Sequence, residues 1–247
     1  MTKRLAVHTR HSQGSSRADA LIVIQARMGS SRLPGKVLAS LAGRTILGHC
    51  VERLRAADVG EIVVATTERP DDDGVVAEAT RLGAHVVRGA VDDVLGRFAQ
   101  AIEQWDGPYV IRATADNPLV DVDAALRVLR VLDAGGDYCV EEGLPVGGAV
   151  EAMRTDVLRA AHRRATSAYD REHVTPYIRQ HHEEFAVRLV PAPLALRRPT
   201  LRLTIDTRAD LQFVRSLVEP AAASDRLLSL SEVVALADRF SDWAGVA

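Results

Sequence analysis

From Ala20 onward, short continuous apolar runs alternate with longer stretches in which apolar residues recur every three or four positions. Runs of the first kind read as strands buried on both faces, and stretches of the second as helices with one buried face. Leu21-Ile22-Val23-Ile24 is the first such strand. Ile46, Leu47, Cys50, Val51 and Leu54 then mark a helix behind Thr45, a residue type that caps helix N-termini. Further strands are predicted over Glu61–Ala65, His85–Arg88, Tyr109–Ala113 and Tyr138–Val140. Between them lie helices carrying Val75, Val76, Ala79 and Leu82, then Val94, Leu95, Phe98, Ile102 and Trp105, then Leu126, Leu129 and Leu132. Asp71 is the expected cap of the first of these, and Gly83 its left-handed terminator. Such alternation predicts an α/β domain with a mostly parallel sheet.

The pattern changes after the Gly/Pro-containing stretch Gly143–Gly148. Residues Glu151–Phe185 read as helices around Thr155–Ala168 and Val174–His182, ahead of strands at Ala186–Val190 and Leu201–Ile205. Residues from about 143 to 190 are therefore expected to form an insertion within one domain spanning 20–247. Helices at Arg208–Val218 and Leu230–Phe240 close the pattern, the second opening on the capping box Ser229-x-x-Glu232. Residues 1–19 carry Lys3, Arg4, Arg10 and Arg17 without the apolar core of a secretory signal, and are expected to be a disordered extension.

Composition narrows the classes. A net charge of −2 offers no bulk attraction for nucleic acid or an acidic membrane surface, so any phosphate recognition has to be local. No apolar run approaches the roughly 20 residues that span a bilayer, and a cytoplasmic protein is expected. The two cysteines, Cys50 and Cys139, lie in apolar stretches far apart and read as buried thiols. His181-His182 has no metal-site spacing and reads as the wet end of a helix. Asp71-Asp72-Asp73 and Asp121-x-Asp123 stand ahead of helices, where carboxylates cap N–H groups and face the dipole, although Asp72 or Asp73 could also support a base pocket.

The segment richest in chemistry is Gln25-Ala26-Arg27-Met28-Gly29-Ser30-Ser31-Arg32-Leu33-Pro34-Gly35-Lys36, at the carboxyl end of the first strand, where open α/β sheets bind ligands. Three cations, two glycines and two serines suit a loop that wraps phosphates with backbone N–H groups and pairs them with Arg27, Arg32 and Lys36. Five residues separate Gly29 from Gly35, and Val37 follows Lys36, so this is not a Walker A loop; the G-x-G-x-x-G fingerprint is absent too.

This loop resembles the nucleotide loop of the cytidylyltransferases that include the acylneuraminate and 3-deoxy-manno-octulosonate enzymes, and is most similar to the spore-coat polysaccharide branch. The resemblance runs from about Ala20 to Val218 and takes in Val64-Ala65-Thr66-Thr67, Arg88-Gly89, Asp92-Asp93-Val94-Leu95 and Arg171-Glu172-His173-Val174-Thr175-Pro176-Tyr177-Ile178. It implies a three-layer glycosyltransferase-A-like fold, CTP as donor, Mg2+, and a homodimer assembled through the insertion. It also implies a place for Gln25, Ala26, Ser30, Thr66, Thr67, Arg88, Arg112 and Glu151 around nucleotide and acceptor, and for His173 near the acceptor. Histidine is a residue type that exchanges protons near neutrality, so His173 is either a proton acceptor or an ordinary helix residue.

A triphosphate's hard divalent cation needs oxygen ligands, usually one or two carboxylates. Asp116, in Arg112-Ala113-Thr114-Ala115-Asp116-Asn117-Pro118, and Asp206, after Leu201–Ile205, are the candidates; by themselves they could equally be a turn residue and a helix cap. Four departures from the family's pattern bear mainly on the acceptor. Ala115 replaces a turn glycine, Asn117 a cysteine, Ala149 an aspartate, and Arg208-Ala209 a Pro-Glu pair. The expected reaction is CMP transfer from CTP to an acidic acceptor, a sugar 2-keto acid or a phosphonate or phosphate. Another nucleoside triphosphate, a glycosyl transfer on the same fold, and a nucleotide-binding protein without catalysis are the alternatives.

Overall fold

The computed structural model describes residues 20–105, 107–224 and 226–244. The expectation for residues 1–19 lies outside them. Seven strands form one sheet: β1 (Ala20–Gln25), β4 (Gly60–Thr67), β5 (His85–Gly89), β6 (Tyr109–Thr114), β7 (Tyr138–Glu142), β8 (Glu151–Arg154) and β9 (Val187–Pro191). Their order is β5-β4-β1-β6-β8-β7-β9, and β8 alone runs against its neighbours. A two-stranded hairpin, β2 (Ser40–Leu41) with β3 (Arg44–Thr45), precedes α1 (Ile46–Ala56). β1 is central and paired on both sides, which is why Leu21-Ile22-Val23-Ile24 must be apolar on both faces; all four are at most 4% exposed. Burying such a side chain stabilises the fold by about 1.5–3 kcal/mol.

Three cores follow from the layers. α1, α2 (Asp73–Arg81) and α4 (Ala124–Asp133) cover one face, through Leu47, Val51, Leu54, Val75 and Leu129. α3 (Val94–Gln104), α5 (Thr155–Arg164), α6 (Ala168–His173) and α7 (Pro176–Gln180) lie over the other, where Leu95, Phe98, Leu158 and Ile178 meet. The third core joins α8 (Arg208–Val218) and α9 (Leu230–Ala244) to Leu41, Ile46, Leu203 and Ile205. This is the three-layer arrangement expected. Thr45 accepts from Gly48 N at 2.8 Å, Gly83 has φ +68°, and Ser229 and Glu232 exchange their capping bonds. Cys50 and Cys139 are free and buried, and burial pushes their thiols up to about 12 and about 11.

Several expectations are corrected. Leu201–Ile205 is not a strand: its one ladder contact is a bridge from Arg202 to Val146. Its neighbour is a turn rather than a strand, so Leu203 N and Thr204 N converge on the single carbonyl of Val146. Glu151–Arg154, placed ahead of the helices with no strand assigned, is β8; four residues between Arg112 and Tyr138 on either side are too short to show a period. The helix expected over Thr155–Ala168 breaks at Ala165, and Ser167 starts α6 by accepting from Asp170 N. The helix expected from Val174 starts at Pro176, because Val174 has φ +71° and Thr175 N bonds His173 O at 2.9 Å, a tight γ-turn. The acidic runs do not cap. Asp71 pairs with Arg69 and Asp73 with Arg88, while Asp72 and Asp123, at the N-caps of α2 and α4, make no side-chain cap bond. Asp121 instead accepts from Arg127 at 2.5 Å. No helix among the described residues is long and apolar enough to cross a membrane.

Candidate active site

The loop after β1 returns on itself: Gly35 N and Ser30 N both bond the carbonyl of Met28, at 3.0 and 2.8 Å. Gly35 has φ +71°, and a Cβ there would lie 3.2 Å from Met28 Cε, so a glycine is needed where the loop turns into the 3-10 turn Lys36–Leu38. Asp72 anchors the loop from below. Its Oδ1 accepts from Met28 N at 2.6 Å and its Oδ2 from Thr67 Oγ1, which joins the ends of β1 and β4.

Lys36 is thereby carried inward. It is 8% exposed, and its Nζ donates to Asp116 Oδ2 at 2.7 Å, Ile205 O at 2.8 Å and Asp206 Oδ1 at 2.9 Å. Residues 80 and 170 positions further along the chain thus meet on one nitrogen. Arg32 lies 3.0 Å from Asp206 Oδ1, and Arg202 bonds Asp206 Oδ2. Burial pushes the Asp206 carboxyl up, but the hydrogen bond and charge of Lys36, with Arg32 and Arg202, outweigh it and hold the group below the usual aspartate range.

The ordinary structural jobs near both aspartates are filled by their neighbours. Thr207 and Asp210 form the capping box of α8, so Asp206 is not the cap. Asn117 makes the turn after β6, through its N to Thr114 O and its Nδ2 to Thr114 Oγ1, which leaves Asp116 to face Lys36. Ala115 stands outside the left-handed region, so replacement of the family's glycine causes no backbone strain there. Gly147, φ +96°, lets the Pro145–Gly148 turn approach Thr204; a Cβ there would stand 2.7 Å from Thr204 N. That approach sets the path of the chain into Asp206.

The other predicted residues fall into separate groups. Arg27 reaches Glu172 at 3.7 Å, which brings His173 to the same end of the sheet; His173 is exposed and its ring leans on that of Tyr169, the centroids 4.5 Å apart and the planes tilted by 59°. Ser30 Oγ accepts from Leu33 N at 3.4 Å, inside the loop, and Ala26 N continues the β1–β4 pairing to Ala65 O. Arg88 fixes the loop after β4 through Thr67 O and Arg69 O, both at 2.9 Å. Gln25 Oε1 and Thr66 Oγ1 are buried at the strand ends without a hydrogen-bond partner. Such orphaned groups call for an explanation such as a ligand. Arg112 and Glu151 are brought to each other. Glu151 Oε2 takes Arg112, and its Oε1 takes the hydroxyls of Tyr138 and, at 2.9 Å, Thr175. Burial raises the Glu151 carboxyl, and Arg112 with these hydrogen bonds brings it net below the ordinary range.

Arg202 and Asp210 were missed by sequence reasoning. The signal for Arg202 was present: in Leu201-Arg202-Leu203-Thr204-Ile205 the apolar residues alternate, so the arginine had to face away from the core, towards Asp206.

Asp116 and Asp206 are the oxygen donors that could hold Mg2+. Both carboxylates reach the same point within 2.9 Å, and two carboxylates completed by substrate phosphates is how that ion is usually held. No group of three or more His, Cys, Asp or Glu side chains suited to a metal occurs among the described residues, so Asp116 and Asp206 would supply only part of the ligand set.

A cytidylyltransferase family profile matches residues 21–233. The chain is 36% identical over 233 residues to the spore coat polysaccharide biosynthesis protein SpsF of Bacillus subtilis, covering 92% of this chain and 97% of that one. It is 31% identical to the 3-deoxy-manno-octulosonate cytidylyltransferase of Chelativorans sp., covering 83% and 99%. Among solved structures, a cytidylyltransferase from Leptospira borgpetersenii superposes with a TM-score of 0.78 at 26% identity, over 93% of this chain and 96% of the other. A CMP:2-keto-3-deoxy-manno-octonic acid synthetase complexed with CTP shares the fold, with a TM-score of 0.61 at 21% identity over 82% and 99%. With the matching loop, the paired aspartates and near full-length coverage, the chain belongs to the cytidylyltransferase family.

Proposed function

We propose that the donor is CTP and that its CMP moiety passes to an oxygen of a small acidic acceptor, a sugar 2-keto acid or a phosphonate or phosphate, with release of pyrophosphate. The observation that carries this reading is the meeting of Lys36 and Arg32 with Asp116 and Asp206 at the carboxyl end of β1 and β6. The acceptor oxygen attacks the α-phosphorus in line, the new P–O bond forms, and the bond to pyrophosphate breaks. Arg27, Arg32 and Lys36 neutralise the charge that develops on the transferred phosphoryl group and on the departing pyrophosphate. Mg2+ held by Asp116 and Asp206 would supply Lewis-acid neutralisation of the triphosphate. A hydroxyl acceptor must also lose a proton; His173, exposed beside the Arg27–Glu172 contact, takes it, whereas a phosphonate or phosphate arrives already ionised.

The test is pyrophosphate release from each of the four nucleoside triphosphates with Mg2+, against nonulosonic acids, deoxyoctulosonic acids and small phosphonates. Release confined to CTP with one acceptor class is expected. Preference for another triphosphate would overturn the donor, and CTP binding without turnover across the panel would favour a protein that has lost catalysis.

A further inference from the structure

All three N–H bonds of the Lys36 ammonium are committed, two of them to the carboxylates suited to a divalent cation and the third to Ile205 O. The two aspartates are met by three cations: Lys36, Arg32 at 3.0 Å, and Arg202, which Asp210 shares at 3.4 Å. A divalent cation approaching this arrangement finds no surplus negative charge and an ammonium standing where its ligands converge.

We infer that Lys36 is a resident counter-ion that makes divalent-cation binding conditional on the triphosphate. This rests on the proposed reaction. Arrival of a polyphosphate gives Lys36 and Arg32 alternative anionic partners, so they release Asp116 and Asp206, and the same phosphates complete a ligand set that the protein supplies only in part. The third bond, to the carbonyl of Ile205, tethers the ammonium so that its displacement is a short shift and not an escape. Coupling of this kind is reciprocal: whatever the nucleotide adds to metal affinity, the metal adds to nucleotide affinity. It also keeps the two carboxylates neutralised while no substrate is present.

The experiment is a Mn2+ titration of the nucleotide-free full chain, read by the electron paramagnetic resonance signal of free Mn2+. Wild type is expected to bind weakly, and Lys36→Met roughly 5- to 150-fold more tightly, the usual span of a coupling between sites. Asp116→Asn in the Lys36→Met background should remove the gain. Arg32→Met, at a side chain 61% exposed and no part of the core, should give a smaller gain and guards against a folding defect in the first variant. Equal Mn2+ affinity in wild type, Lys36→Met and Arg32→Met would overturn the inference. Because no arm contains nucleotide, that outcome is separate from a failure of CTP to serve as donor.

Discussion

Two charged clusters stand on the same sheet and are built on opposite principles. Around Lys36, carboxylates and cations come from three parts of the chain, partly open to solvent, with Arg32 61% exposed. Around Glu151, an ion pair and two hydroxyls are closed in: Tyr138 is fully buried, Thr175 3% exposed, and Arg112 17%. The first can exchange partners with a ligand; in the second both oxygens of Glu151 already have partners within the protein. Charge density alone therefore does not mark a catalytic group. What separates the clusters is the rim and not the burial of the central pair: Arg32 and Arg202 open the Lys36 contacts to an incoming anion that could take them over, whereas Tyr138 and Thr175 close in the Glu151 pair, where breaking the contact strands a charge.

Substitutions can break this contrast. The largest effect is expected at Glu151, where Glu151→Ala leaves Arg112 of β6 without its counter-charge on β8 and should cost about 3–5 kcal/mol of unfolding free energy. Urea denaturation followed by far-UV circular dichroism measures it, and a change within experimental error would remove the distinction drawn here. Lys36→Ala should instead leave a folded protein whose turnover falls at least roughly 100-fold, since deleting one preorganised charge-stabilising group typically costs about 2.7–4 kcal/mol at the transition state. Near-normal turnover in a pyrophosphate-release assay would argue against the whole reading of the loop. The smallest effect belongs to Ala115→Gly. With Ala115 outside the left-handed region, restoring the family's glycine should lower stability by only about 0.4–1 kcal/mol through the unfolded state and should not raise activity. A clear gain in turnover would show that the turn does need glycine's freedom.

Much of the site was legible because its parts sit at recognisable places. The loop from Gln25 to Lys36 announced itself by cations and glycines at the end of a fully apolar strand, and Asp116 followed another strand end. Asp206 was found for a reason the structure corrects, since the segment before it joins no strand ladder beyond the single bridge at Arg202. Asp72 was read chiefly as a cap; its carboxylate instead reaches back to Met28 N, a bond across 44 residues that no local pattern announces. Arg112 and Glu151 matched family positions, but which partner each would meet depended on β8 lying between β6 and β7.

The order of residues along the chain was enough to place the layers and the end of the sheet that carries the chemistry. Those properties follow from hydrophobic period, capping chemistry and loop composition, which are local and act within about a dozen residues. It also carried the family, because ordered motifs survive as spacing and identity. Which charges neutralise one another was settled by packing. Lys36 meets Asp116 and Asp206 because β1 and β6 are neighbours and because the Pro145–Gly148 turn holds the path into Asp206 close by. Electrostatic partnership is set by distances of about 3 Å between residues 80 to 170 positions apart, and those distances are products of packing that no stretch of sequence encodes alone.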